Sequence, residues 1–211
     1  MRKADAAALC VVIASFILAA YFYPQLPDNI VSHWDAQGRP DGYMPKFWAL
    51  ATMPAISAVL FVIFLAVPRI DPKRKNIKKF RGYYEKFVIL VLLFLLYIHL
   101  LTIAWNLGML LDIVQFLVPA FAALFYYAGA LMQKANQNWF VGIRTPWTLS
   151  SKKVWDRTHK RGAMLFKACG LICLAGLAIS SYAIFFVIVP VILATIYLFV
   201  YSYAEYRKEK N

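Results

Sequence analysis

Six long apolar stretches divide this chain of 211 residues, and they constrain its fold more than any other feature. A helix needs about 20 mostly apolar residues to cross the roughly 30 Å of hydrocarbon in a bilayer, whereas a spanning strand needs alternating segments of about 10 residues. The chain is 62% hydrophobic and 16% charged, which is too apolar for a soluble domain. We therefore predict an all-α integral membrane protein with six transmembrane helices. The predicted spans are about Ala6–Tyr23, Phe47–Val67, Phe87–Ala104, Leu110–Met132, Met164–Ser181 and Ile184–Ala204.

The basic residues predict how these spans are oriented. All but two of the 23 lysines and arginines lie at the chain start, in residues 69–86, in residues 134–167 or in the tail. Because Lys and Arg collect on the cytoplasmic side of membrane proteins, this distribution places both termini in the cytoplasm. The first span, which follows Arg2 and Lys3, is expected to remain as an anchor rather than to be a cleaved signal peptide.

The net charge of +13 raises the question of a nucleic-acid partner. The basic segment RIDPKRKNIKKFRGYYEK instead suits anionic lipid headgroups, at about 1 kcal/mol for each charge. We predict the lipid bilayer as a partner and no direct binding of nucleic acid.

The polar segments between the spans suggest the organisation of the chain. A two-helix module covers residues 1–68 and carries an outer loop, residues 24–46. A basic cytoplasmic linker, residues 69–86, leads to a four-helix module at 87–204. That module carries a long cytoplasmic loop, and a short cytoplasmic tail follows it. The predicted bounds are 133–163 for the loop and 205–211 for the tail.

The outer loop is rich in Pro, Gly, Asn and Asp, which predicts a series of turns rather than a helix, with reversals at Gly38 and Gly42. Its aromatic residues are expected to lie in the interface between membrane and water as a belt; they are Trp34, Tyr43 and the nearby Trp48. Oxygen and imidazole groups here raise the possibility of a metal site; they belong to Asp28, His33, Asp35 and Asp41. Their spacing matches no known ligand pattern, so no metal is predicted.

Two ionisable residues fall inside the predicted spans. His99 lies in the outer third of the third span, and Asp112 opens the fourth span from the same side. Such residues are functional candidates because burying them in lipid is costly. A structural explanation is also available for each: Asp112 suits the positive end of a helix dipole, and His99 suits a hydrogen bond to a neighbouring helix. The hypothesis to test is a polar cluster that joins both residues to the outer loop.

The cytoplasmic segment from Asn138 to His159 carries the most unusual residues. Thr145-Pro146 predicts an extended backbone, and Gly142 allows a positive φ or a close approach. Ser150 or Ser151 suits the N-cap of a basic, surface-lying helix over about Lys152–Arg161. On that helix, Trp155 and His159 meet at a spacing of four residues.

Catalysis by this segment is not favoured. Hydrolysis needs a nucleophile, a base and an oxyanion donor within reach of one another, and no motif around Ser150 or Thr158 supplies them. Arg144 suits either a bidentate contact with a carboxylate or phosphate, or capping of carbonyls at a helix end. We predict a protein that is not an enzyme and holds no cofactor.

Two stretches of the chain resemble a known family. WFVGIRTPWTLSSKKVWDRTHKRG is similar to the signature loop of the SdpI family, bacterial membrane proteins named for an immunity and signalling protein of a toxin operon. LPDNIVSHWDAQGRPDGYMPK resembles a domain of unknown function that often precedes that loop. The positions that match the signature are Asn138, Gly142, Arg144, Thr145, Pro146, Trp147, Trp155, Thr158 and His159.

The resemblance implies a role in immunity rather than catalysis. The family's named member protects its host against a secreted peptide toxin, and it is thought to hold a transcriptional repressor at the membrane. By this resemblance, the signature residues are expected to bind a cytoplasmic partner, with Arg144 and the exposed aromatic rings of Trp155 and His159 as anchors. The outer loop would contact the toxin through Asp28, His33, Trp34, Asp35 and Asp41. The alternative is a small transporter or a lipid-acting membrane enzyme that uses His99, Asp112 and the outer acids.

Overall fold

The computed structural model describes residues 2–210 apart from the side chain of Ser180. Six of the helices in this range are long and apolar enough to span a membrane. The elements, in chain order, are α1 (Lys3–Phe22), β1 (Asn29–Trp34), β2 (Pro40–Pro45), α2 (Lys46–Ile70), α3 (Arg74–Lys79), α4 (Arg81–Asn106), α5 (Ile113–Lys134), α6 (Pro146–Ser150), α7 (Lys152–Ala175) and α8 (Ala183–Lys210). The prediction of six spanning helices is confirmed.

The spanning helices pack in two groups of three. Helix α1 packs against α2 and α4, while α7 packs between α5 and α8, and contacts between α4 and α5 join the groups. One apolar core surrounds the fully buried Leu92 of the first group and extends to Leu131 and Trp155 of the second, and another surrounds the fully buried Val118 of the second group. Large apolar side chains such as Ile17, Val62 and Leu193 stay exposed along the helices. In a spanning helix such apolar side chains face lipid. The helix tolerates this position because its backbone polar groups are satisfied within the helix.

Helices α5 and α7 make the closest contact in the molecule, and glycines permit it. A Cβ added at Gly170 would lie 2.6 Å from the carbonyl oxygen of Ala122, and one at Gly129 would lie 2.7 Å from that of Ala163. Small residues at such positions let two helix backbones approach closely inside a membrane, where packing rather than burial from water drives association. The pair α5–α7 is therefore the rigid centre of the second group.

Both ends of the chain lie at the same end of the molecule, which we call the inner end. Arg2 pairs with Glu85 at the start of α4 at 2.9 Å, and Arg157 at the start of α7 pairs with Glu205 near the end of α8 at 2.6 Å. The hairpin β1–β2 lies at the opposite, outer end, because it connects the far ends of α1 and α2. The assignment of the inner end to the cytoplasm stays a prediction from the charge distribution.

The structure corrects two local predictions. The outer loop is not only a series of turns, because Asn29–Trp34 and Pro40–Pro45 pair as antiparallel strands with irregular register around His33. The predicted surface-lying helix at Lys152–Arg161 is not a separate element, because it is the first part of α7. The basic residues suggested a helix on the membrane surface, separate from the next span. The structure instead has one helix, α7, that begins polar and continues apolar without a break.

Candidate functional site

The segment between α5 and α7, residues 135–151, forms a compact folded loop at the inner end, which we call the knot. Asn138 is its centre. The Asn138 side chain is fully buried. Its Nδ2 donates to the carbonyl oxygens of Asn136 and Val141, each at 2.9 Å. Its Oδ1 accepts from the N–H groups of Phe140 (2.9 Å) and Val141 (2.6 Å). All four hydrogen-bonding positions of this amide are thus occupied within the loop, so Asn138 shapes the backbone and presents nothing to a partner.

His159 joins the knot to α7. Its Nε2 accepts from the N–H of Ile143 at 3.1 Å, and its Nδ1 lies 2.9 Å from the carbonyl oxygen of Trp155. A backbone N–H can only donate and a carbonyl can only accept, so the ring carries its proton on Nδ1 and is neutral. The ring stacks on Trp155 with centroids 3.8 Å apart.

Gly142 is required where the knot passes over this histidine. Its φ is +105°, a backbone conformation that other residues rarely adopt. A Cβ at this position would also overlap Nε2 of His159. Both reasons that the sequence suggested for this glycine, a positive φ and a close approach, are confirmed.

Ser151 caps a helix as predicted, and the extended backbone predicted at Thr145 is confirmed, but Thr145 and Pro146 also start a short helix that was not predicted. Thr145 has an extended backbone and caps α6, where its hydroxyl accepts from the N–H of Thr148 at 3.2 Å. The Thr145 hydroxyl also lies 3.1 Å from that of Ser202 in α8. Ser151 caps α7 by accepting from the N–H of Val154 at 3.2 Å. These caps satisfy N–H groups that a helix start leaves without partners.

The aromatic residues of the segment fall into two environments. Trp155 is fully buried and donates from Nε1 to the carbonyl oxygen of Ala135 at 2.9 Å, which caps the end of α5. Trp147 packs against Phe199 and Tyr203 of α8, with ring centroids about 5 Å apart. Trp139, in contrast, is 48% exposed. Two of the three tryptophans of the segment are thus held by ring packing or a hydrogen bond, and the third is half exposed.

The structure corrects the expectation that Trp155 and His159 are exposed anchors. Both are buried, as are Thr145 and Thr158, and such side chains cannot touch a partner directly. Arg144 does stay exposed, and its NH1 donates to the carbonyl oxygen of Trp139 at 2.9 Å. The large side chains on the exposed surface of the knot are therefore Trp139, Phe140 and Arg144, and the smaller exposed residues are Gly142, Pro146 and Ser150.

Sequence reasoning missed the residues that attach the knot to the first group of helices. Asp71, which follows α2, is buried, and its Oδ2 accepts from the N–H of Trp139 at 2.8 Å. Lys73 donates to the side-chain oxygen of Gln137 at 2.6 Å, and Asn76 donates to the backbone carbonyl oxygen of Gln137 at 2.8 Å. The one available signal was that Asp71 is one of only two acids, with Glu85, in the basic segment 69–86.

A shallow polar groove lies beside the knot, between the start of α7 and the end of α8. Ser151 donates to Glu209 at 2.5 Å, and Lys152 pairs with Asp156 at 2.7 Å within one helical turn. Lys153 and Arg157 also line the groove. Both cations and acids are present, so the groove suits a polar or mixed-charge surface.

At the outer end, Asp35 shapes the turn of the hairpin. Its carboxylate accepts from the N–H groups of Gln37 (2.8 Å) and Arg39 (2.9 Å) and pairs with the Arg39 guanidinium at 3.0 Å. The hydrogen bond from the Arg39 backbone, together with those other contacts, lowers the pKa of the Asp35 carboxyl below its usual value. The carboxylate therefore stays ionised at neutral pH and holds the turn in place.

The other charged residues of the hairpin are also paired. His33 Nδ1 lies 2.5 Å from a carboxylate oxygen of Asp41, and Lys46 lies 3.1 Å from that of Asp28. Within residues 2–210, no group of three or more His, Cys, Asp or Glu side chains is arranged to hold a metal ion.

The hairpin is bound to α4 by the side chain of Asn106, which makes the two hydrogen bonds to a strand residue that a neighbouring strand would make. Asn106 accepts from the N–H of Val31 at 2.8 Å and donates to its carbonyl oxygen at 2.9 Å. Beside this contact, the rings of Trp34 and Trp105 meet edge to face with centroids 5.9 Å apart. Trp34 therefore packs on a helix end rather than forming a belt with Tyr43 and Trp48, which are both exposed.

The two ionisable residues of the spans differ in their surroundings. Asp112 caps α5 by accepting from the N–H of Gln115 at 3.1 Å, as its position at a helix start suggests. It also meets the hairpin, since a Cβ at Gly38 would lie 3.2 Å from its Oδ1. His99 is 1% exposed, and its Nε2 has no hydrogen-bond partner among residues 2–210. The structure thus brings Asp112 to the outer hairpin and leaves His99 buried within α4.

Comparison with known proteins confirms the resemblance seen in the sequence. The SdpI/YfhL protein family matches residues 134–202, and a domain of unknown function, DUF1648, matches residues 10–58. The chain is 27% identical over 207 residues to the immunity protein SdpI of Bacillus subtilis (strain 168), which covers 98% of this chain and 97% of that protein. No solved structure matches this chain. Together with its six spanning helices, these similarities identify a multi-pass protein of the cell membrane.

Proposed function

We propose that this protein is a membrane immunity protein that protects its cell against a secreted peptide toxin. The observation that carries the proposal is the similarity to the immunity protein SdpI, which extends over 98% of this chain rather than over one domain. The two segments that match family descriptions include the hairpin at the outer end and the knot at the inner end. Protection is therefore proposed as a property of the whole molecule.

The outer hairpin is the part that we propose to meet the toxin. It is the largest extramembrane segment at its end of the molecule, and it is held against α4 by Asn106 and against Asp112 at its tip. Its turn is ordered by Asp35, and His33 and Asp41 expose much of their side chains. A surface that is ordered before binding loses less conformational entropy on contact with a peptide.

The inner knot is the part that we propose to retain a cytoplasmic partner, such as a transcriptional repressor. Its exposed residues combine two aromatic rings with a planar guanidinium, which are the side chains most often found as anchors in protein interfaces. Trp139 is 48% exposed and Phe140 38% exposed, and Arg144 lies beside them. Trp155, His159 and the other buried signature residues would then act by holding this surface in position.

The hydrogen bonds of His159 support a role without catalysis. A general base needs a nitrogen lone pair directed at the proton it removes. In His159 the Nε2 lone pair is used by the N–H of Ile143, and Nδ1 carries the proton donated to Trp155. The imidazole therefore has no free nitrogen to activate Ser150, Thr158 or a water molecule.

The proposal is tested by survival of a toxin-sensitive host. The chain is expressed together with each candidate secreted peptide from the genes around its own, and membrane levels are matched by immunoblot. Wild type should increase survival, and Trp34→Ala, Asp35→Ala or Asp41→Ala should reduce it by about tenfold or more, since a single anchor residue contributes on the order of 2 kcal/mol. Asp156→Ala is the matched control, because it removes an acid at the inner end, where its side chain is 55% exposed.

Retention of a partner is scored separately in the same cells. A fluorescent fusion of a candidate helix-turn-helix repressor from the genes around this one should lie at the membrane with wild type and become diffuse with Trp139→Ala or Arg144→Ala. Survival should not change with those two variants. A wild-type chain that gives neither survival nor membrane retention would contradict the proposed function.

A further inference from the structure

A cavity of about 590 Å³ lies beneath the outer hairpin, at the junction of the two groups of helices. Residues Ser32 to Ala36 of the hairpin form its roof. Its walls are mostly apolar and come from four spanning helices: Met53 of α2, Ile98 of α4, Val114 and Leu117 of α5, and Ile184 of α8. Cavities of this size bind ligands when a few polar groups converge on an apolar interior.

One polar group of the roof lacks a partner. The indole Nε1 of Trp34 is buried and has no hydrogen-bond partner within the described chain. An unpaired buried donor costs about 1–3 kcal/mol, so a small rotation of the indole that brought Nε1 to an acceptor in the cavity would be favoured. The carbonyl of a peptide and the ester carbonyl of a lipid are both such acceptors, and displacement of lipid by the peptide in the test below distinguishes them.

The charged groups at the cavity indicate the sign of the ligand. Asp35 and Asp41 both line it, and the described lining residues include no Lys or Arg. Arg39 pairs with Asp35 from outside, but Asp41 contacts only the imidazole of His33. The side chain of Asp41 is 45% exposed and is therefore accessible to a positively charged ligand group.

We propose that this cavity binds an apolar, positively charged segment of a peptide. Apolar side chains would enter between α2, α4 and α5, one main-chain carbonyl would accept from Trp34 Nε1, and a basic group would lie at Asp41. The identification of this peptide with a toxin rests on the proposed function, but the binding chemistry does not.

The test is direct binding to the full chain in nanodiscs of phosphatidylcholine, which carries no net charge. The probes are two fluorescein-labelled amphipathic peptides, one of Leu and Lys and one of Leu and Glu, and anisotropy is corrected with empty nanodiscs. The Leu/Lys peptide should bind at least tenfold more tightly than the Leu/Glu peptide, and Asp41→Asn should reduce that preference.

Two further variants test the cavity itself. Trp34→Phe keeps the ring against Trp105 but removes the donor, and it should weaken binding about fivefold, the value of one net hydrogen bond. Leu117→Trp places a larger side chain in the cavity and should weaken binding at least tenfold. Leu100→Trp is the matched control, because Leu100 is 38% exposed on the surface of α4 and the same change there should leave binding unaltered.

Each outcome decides the proposal. Equal binding to wild type, Trp34→Phe and Leu117→Trp would overturn it. So would a copurified lipid, detected by native mass spectrometry, that the Leu/Lys peptide does not displace. Survival without peptide binding would overturn the cavity and leave the immunity function standing, whereas binding without survival would support the cavity and contradict the function.

Discussion

Among single residues, Gly142 has the least freedom to change. Its positive φ and its contact with His159 both exclude a side chain. We expect Gly142→Ala to destabilise the protein by about 2 kcal/mol, the typical cost of a strained backbone position. In a protein of this size that corresponds to a melting temperature lower by roughly 4–8 °C.

The measurement is thermal unfolding in detergent, followed by the exposure of buried cysteines. Gly82→Ala is the control, because a Cβ there would meet no atom within 4 Å and the residue lies in α4. That variant should be neutral or slightly stabilising, since Ala favours helix over Gly. Equal melting temperatures for both variants would show that His159 does not restrict position 142.

Asp71 is the residue whose importance the sequence did not reveal. Its buried carboxylate holds the N–H of Trp139 and the N–H of Lys73. Asp71→Ala should destabilise the protein by about 1–3 kcal/mol, because it leaves these donors without an acceptor. Asp71→Asn, which keeps one acceptor, should cost less.

The same variants separate stability from partner retention. If Asp71 positions the exposed surface of the knot, Asp71→Ala should release the repressor fusion from the membrane at a temperature where the protein is still folded. Retention equal to wild type in that variant would limit Asp71 to a structural role.

Among the elements, the hairpin depends most on a single contact with a helix. An isolated two-stranded hairpin is marginally stable in water. Here Asn106 satisfies both main-chain groups of Val31, and Trp34 packs on Trp105. We expect Asn106→Ala to increase hydrogen–deuterium exchange across the strands Asn29–Trp34 and Pro40–Pro45 by about tenfold or more, since two hydrogen bonds contribute on the order of 2 kcal/mol.

A matched control is available on α5. Gln115→Ala also changes a polar side chain near the outer end, but that side chain makes no hydrogen bond within the described residues. It should leave exchange in the hairpin unchanged. Exchange that is equally fast in the two variants would mean that Asn106 is not the attachment point.

At the scale of the whole molecule, the structure places both termini and the knot at one end and the hairpin at the other. The charge distribution predicts that the end with the termini is cytoplasmic. We expect an impermeant thiol reagent on intact cells to label Gln37→Cys but not Lys153→Cys, in a background where Cys10 is replaced by Ser. Permeabilised cells are the control, in which both should label. Labelling of position 153 alone in intact cells would reverse the orientation.

The two ends of the molecule are connected through α4 and α2. The hairpin is attached to the end of α4 by Asn106, and the knot is attached to the segment after α2 by Asp71. A route for communication between a toxin and a cytoplasmic partner therefore exists as a set of contacts. Physical proximity alone does not establish coupling, and the separate scoring of survival and retention is what measures it.

The sequence by itself determined the number of spans, their approximate positions and several local features at helix starts. Apolar length defines a membrane span whatever its neighbours are, because the lipid takes the place of a protein core. Thr145-Pro146, Gly142, Ser151 and Asp112 were also interpreted correctly, since a cap, a proline or a glycine acts within a few residues of its own position.

Only the tertiary structure decided which polar side chains are buried and what they hold. Asp71 meets Trp139 across 68 residues of sequence, and Asn106 meets Val31 across 75. A hydrophobic pattern carries no information about such pairings, so Trp155 and His159 were expected to be exposed and the hairpin was expected to be turns. A buried polar group must find a partner wherever the fold supplies one, and the fold is known only when the helices have packed.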